Sequence, residues 1–157
     1  MAATIDVVEF ELGGERYALD IQLAREIVEM IPITPIPRSP PYISGVINLR
    51  GEITNIMNLN TLLGLPDKEV RENQKIIVLV PDAAGGSNVG IIVDDVSSVL
   101  QVAESDIDHM GEGFSSEFSS FVKGIIKIKS DDGEKKHKSL IIWIDMLKIL
   151  KDLAEKK

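Results

Sequence analysis

Val8, Phe10 and Leu12 alternate with Glu9 and Glu11, and after Gly13-Gly14 the residues Tyr17 and Leu19 alternate with Arg16, Ala18 and Asp20. A period of two predicts a half-buried β-hairpin over residues 5–20, turning on glycines that accept positive φ. Residues 21–31 are ambiguous. Ile21, Ala24, Ile27 and Val28 have helical spacing, whereas the run from Ile27 to Ile31 favours a strand. Five prolines between Pro32 and Pro41 then predict an irregular extended connector.

Ile43 to Arg50 reads as a strand, Gly51-Glu52 as a turn, and Ile53 to Met57 as the partner strand. Asn58 is placed to cap one short helical turn that Gly64 ends. Residues 66–74 are polar and predict a linker. Ile76 to Val80 is continuously apolar, the mark of a strand buried on both faces. A loop over residues 82–87 and a strand from Val89 to Val93 follow, with a further strand at Ser97 to Val102. Ala103 to Ser120 is polar and Gly/Ser-rich, with room for one short helix. Phe121 to Lys129 and Leu140 to Ile144 predict strands around a charged hairpin. Met146, Leu147, Leu150, Leu153 and Ala154 form a helical stripe behind Asp145, which stands where an N-cap belongs.

Two stretches repeat this order. Tyr42-Ile43-Ser44-Gly45 and Phe121-Val122-Lys123-Gly124 each open a strand, a hairpin and a second strand, and end at a cap, Asn58 or Asp145. Upstream, Tyr17-Ala18-Leu19-Asp20 before Glu26-Ile27-Val28 parallels Ile91-Ile92-Val93-Asp94 before Ser98-Val99-Leu100. The chain therefore reads as a mainly β protein, a duplication of a unit of about five short strands. Five-stranded sheets close into small barrels, which removes exposed edges. The expected architecture is one domain, residues 1–157, of two five-stranded β-barrel subdomains with short helices and a C-terminal helix. The subdomains span about residues 1–70 and 71–157, are open to an exchange of strands, and leave a groove between them.

Composition narrows the chemistry. The 157 residues contain no cysteine, which removes disulfides and thiolate nucleophiles. A net charge of −8 argues against a nucleic-acid partner. The longest apolar run, Ile76 to Pro81, is far shorter than the ~20 residues of a spanning helix, and no basic, apolar leader opens the chain. A cytoplasmic location without membrane insertion is expected. His109 and His137 lack neighbouring ligands, so no metal site is expected. Asp94-Asp95 could serve acid–base work but more often such a pair ends a strand. No nucleophile elbow, phosphate loop or calcium loop is present, so no cofactor and no catalytic residue is assigned. A second reading left open by the residues is a small barrel that senses a ligand.

The segment from Pro40 to Gly51 (PPYISGVINLRG) resembles the P-x-aromatic-I-x-G-V-x-N-L-R-G signature of the CheW family of chemotaxis coupling proteins. Ile56-Met57-Asn58-Leu59 resembles its I-x-D-L continuation, and Val89 to Leu100 its VGxxVDxVxxVL strand pair. Tyr17 to Ile21 with Arg25 to Val28 is similar to the family's opening. The resemblance implies paired five-stranded barrels in a non-catalytic adaptor. Its implied partners are the regulatory domain of the histidine kinase CheA and the cytoplasmic tip of methyl-accepting chemoreceptors. It implies receptor contacts from Arg50, Asn48, Glu26 and Ile27. From the residues alone, Arg50 is a surface turn residue and Ile27 a core residue. The chain departs from the family pattern at Asn55, where Pro is usual, at Asn58 for Asp, and at Asn60 for Arg.

Overall fold

The computed structural model describes residues 4–64, 74–81, 86–108, 121–128 and 139–155. The expected linker, most of the 82–87 loop, the Gly/Ser-rich stretch with His109, and the charged hairpin with His137 lie outside the described residues. In chain order the strands are β1 (Thr4–Leu12), β2 (Glu15–Asp20), β3 (Ala24–Glu29), β4 (Ile43–Leu49) and β5 (Glu52–Asn58), then helix α1 (Leu59–Leu62). There follow β6 (Lys75–Leu79), β7 (Val89–Val93), β8 (Asp95–Ala103), β9 (Ile107–Asp108), β10 (Val122–Ile128), β11 (Ser139–Ile144) and helix α2 (Met146–Glu155). The ambiguous stretch resolves into a 3-10 turn, Ile21–Leu23, followed by strand β3.

The strands form two sheets, ordered β8-β1-β2-β11-β10-β9 and β3-β6-β7-β5-β4. The protein is mainly β, as expected, but the hydrogen-bonded order of each sheet is linear. In the second sheet one isolated bridge, Thr34 with Val46, ties the chain leaving β3 to the opposite end strand β4. Among the described residues pairing is antiparallel except for two parallel contacts, β2 with β11 and β5 with β7. Each sheet takes strands from both sides of residue 70.

The duplication is visible atom by atom. Register shifts fall at Ile43/Gly45 in one hairpin and at Val122/Gly124 in the other. The Asn58 amide donates to the Tyr42 carbonyl at 2.7 Å, and the Asp145 amide to the Phe121 carbonyl at 2.8 Å. Asn58 Oδ1 accepts the Thr61 amide at 3.3 Å, and Asp145 Oδ1 accepts the Lys148 amide at 3.0 Å. Both are N-caps, which satisfy an orphan donor of the first turn. Asp145→Ala should therefore lower stability by about 1 kcal/mol, read from the urea midpoint. A smaller loss would mean that packing alone holds α2.

The largest core cluster lies between the sheets. It joins Val8, Phe10, Leu12, Tyr17 and Leu19 of one sheet to Ile77, Leu79, Ile91 and Val93 of the other, with Leu59, Met146 and Ile149 from the helices. A second cluster (Val7, Ala18, Ile126, Ile141, Trp143) packs on the first sheet, and a third (Ile47, Ile56, Ile76, Val78) on the second. The first hairpin is thus buried on both faces rather than one. Even Glu9 is buried, with Arg16 Nε 3.5 Å from its carboxylate. On α2 the buried stripe is Met146, Ile149 and Leu150, while Leu147 is 49% exposed. The i, i+3, i+4 spacing fits the inward face better than the expected stripe through Leu147. The side chains of Leu153 and Ala154 lie outside the described residues.

Burial raises the Tyr17 phenol above its ordinary pKa, with the Glu15 carboxylate adding to the shift. The unfolded phenol ionises first, so this contribution is intact below about pH 10 and is lost as pH climbs through the folded pKa. Tyr17→Phe should flatten the alkaline fall of the unfolding midpoint; an unchanged slope would assign that fall to other groups.

Candidate docking site

The β4–β5 turn lies one residue earlier than the expected Gly51-Glu52. Leu49 pairs with Glu52, leaving Arg50 and Gly51 as the two turn residues. Both have positive φ, 52° and 86°. This is the backbone of a type I′ hairpin turn, in which Asn-Gly is the favoured pair. Asn48 Oδ1 accepts the Gly51 amide at 2.8 Å and closes the turn from its own side.

From that turn the Arg50 guanidinium reaches the Glu26 carboxylate on β3. A second ion pair, Arg25 with Glu52 at 3.8 Å, runs between the same two segments. Since β3 and β4 end the sheet at opposite sides, the sheet must curl to bring them within side-chain reach. Glu26, Asn48 and Arg50 therefore meet at one end of a single sheet, and Ile27 follows Glu26 on β3 with its side chain on the alternate face. Ile27 is 41% exposed, so it belongs to the surface and not to the core.

Ile53 is the residue that sequence reasoning missed. It stands opposite Asn48 and is 61% exposed. Thr54 and Ile56 of the same strand are buried. A signal was present: Ile53 and Ile56 differ by three, so a period of two puts them on opposite faces. Each of the two segments joined by the ion pairs thus carries one exposed isoleucine.

Other candidates for chemistry have structural partners. Asp94 is buried and its Oδ2 accepts the Gly13 amide at 2.7 Å, tying the first hairpin turn to the end of β7. Asp20 accepts from Trp143 Nε1 at 2.6 Å and from Lys123 Nζ at 3.1 Å. Among the described residues no group of three or more His, Cys, Asp or Glu could hold a metal ion. Nor is any described helix long and apolar enough to cross a membrane. The departures from the family pattern also have local consequences. Asn58 caps α1 as an aspartate would, and the Asn55 amide donates to the Asn88 carbonyl at 2.9 Å, a bond that proline cannot make.

Residues 6–154 match the CheW-like domain family. The chemotaxis protein CheW of Thermotoga maritima is 32% identical over 152 residues, which cover 97% of this chain and 91% of that protein. The chemotaxis protein CheW of Bacillus subtilis is 33% identical over 121 residues, covering 77% and 76%. The crystal structure of the scaffolding protein TtCheW from Thermoanaerobacter tengcongensis is similar with a TM-score of 0.73 at 32% identity, covering 91% of this chain and 90% of that one.

Proposed function

Since the chain belongs to the CheW-like domain family, we propose that it is a non-catalytic, cytoplasmic adaptor that couples chemoreceptors to the histidine kinase CheA. The observation that carries this reading is the match across residues 6–154, which spans both sheets. The surface carrying Ile27, Ile53, Glu26 and Arg50 is proposed as the receptor contact, with Asn48 in the turn that presents Arg50. An amphipathic receptor helix offers an apolar stripe for the two isoleucines and polar groups for the guanidinium, the helix-in-groove mode. The ligand-sensing barrel is the weaker reading, because apolar side chains pack the inner face of each sheet.

Size-exclusion chromatography with a purified receptor cytoplasmic fragment and with the CheA regulatory domain tests the proposal. The chain should co-elute with each. Co-elution with neither would reject the adaptor reading.

A further inference from the structure

The family resemblance implies a receptor contact for Asn48, but its hydrogen bond points to a different task. Its side-chain oxygen accepts the Gly51 amide at 2.8 Å, inside the turn that carries Arg50. Arg50 itself sits at φ 52°, a left-handed conformation that β-carbon-bearing residues seldom adopt. Such a position holds only where its surroundings over-determine it. Gly51, at φ 86°, permits the turn, and the Asn48 acceptor supplies a constraint on it.

The duplicated hairpin differs at the corresponding sequence positions. The hairpin of β10 and β11 has Lys127 where the first has Asn48, and Lys129 where the first has Arg50. Lysine offers no acceptor. The two connections also differ in length: two residues separate Leu49 from Glu52, and ten separate Ile128 from Ser139. The acceptor thus accompanies the two-residue turn that carries Arg50.

We propose that Asn48 is a positioning residue: it acts through the turn to aim Arg50 and does not itself touch the partner. This rests on the receptor-contact reading given above. Its chemical content is that the partner uses the guanidinium and makes no demand on the Asn48 amide NH2. An acceptor is all the position requires.

Asn48→Ala and Asn48→Asp separate the two roles, because aspartate keeps the acceptor and loses the amide donor. Two readouts apply to each variant: hydrogen exchange at the Gly51 amide, and affinity for a purified receptor cytoplasmic fragment. Asn48→Ala should speed Gly51 exchange at least tenfold and weaken binding three- to tenfold, while Asn48→Asp stays within twofold of the parent in both. Equal loss of affinity in both variants, with Gly51 still protected in Asn48→Asp, would overturn the inference in favour of a direct amide contact. Unchanged Gly51 exchange in Asn48→Ala would overturn it as well, without reference to any receptor. If Gly51 exchange follows the acceptor but Arg50→Glu binds normally, aiming Arg50 serves no receptor contact, and the inference falls together with the site assignment.

Discussion

Gly45→Ala should lower the stability of the protein by about 3 kcal/mol or more, the largest effect expected of any single methyl group here. Two costs combine. Gly45 has φ 144°, in the range that side-chain-bearing residues avoid. A Cβ there would stand 2.2 Å from the Thr34 carbonyl oxygen and 2.7 Å from Ile33 Cγ2. The first of these atoms is backbone, held by paired 2.9 Å hydrogen bonds between Thr34 and Val46, so it cannot turn aside as a side chain would. Relief requires breaking the bridge that ties the two ends of the sheet together. The equivalent Gly124→Ala meets Ile107 Cγ2 at 2.9 Å and the Asp108 oxygen at 3.0 Å, so a smaller loss of about 1–2 kcal/mol is expected. Urea unfolding followed by far-UV circular dichroism and by the fluorescence of Trp143 measures both. The two signals should shift together for Gly45→Ala, although Trp143 lies in the other sheet, because one core joins the sheets. Separate transitions would show that the sheets unfold independently.

Arg50→Glu should weaken binding to a receptor fragment by about 10- to 100-fold and leave the fold intact. The substitution removes a planar fork of donors and places a carboxylate beside Glu26, which repels any acidic or carbonyl-rich partner surface. The Arg50 side chain is 66% exposed, so the stability change should stay within about 1 kcal/mol. Affinity within twofold of the parent would remove Arg50 from the docking surface.

Much of this molecule is legible in one sequence because its duplication writes the same local rules twice. Gly45 and Gly124 stand at matching positions and make matching bulges, and Asn58 and Asp145 cap matching helices. Local signals of this kind depend on a few neighbouring residues. The crossing of strands between the sheets does not. Nothing in the alternation of Glu26, Ile27 and Val28 states that β3 leaves the sheet of β2 and pairs with β6, 46 or more residues away in sequence. The ambiguity of residues 21–31 has the same origin, since the short 3-10 turn that carries the chain between sheets blends helical and extended spacing. The proposed docking surface was half legible. Family resemblance marked Arg50, Asn48, Glu26 and Ile27, but the pairing of Arg50 with Glu26 spans 24 residues and only the folded sheet reveals it. Ile53 was overlooked because an isoleucine in a strand is read as core before its parity is checked.

The most direct measurement is the rate of CheA autophosphorylation in a reconstituted mixture of kinase, receptor fragment and this chain. The parent chain should bring the kinase under receptor control, while Arg50→Glu should still co-elute with CheA yet leave the kinase at its receptor-free rate. Receptor control that persists undiminished with Arg50→Glu, or that is absent with the parent chain, would contradict the account.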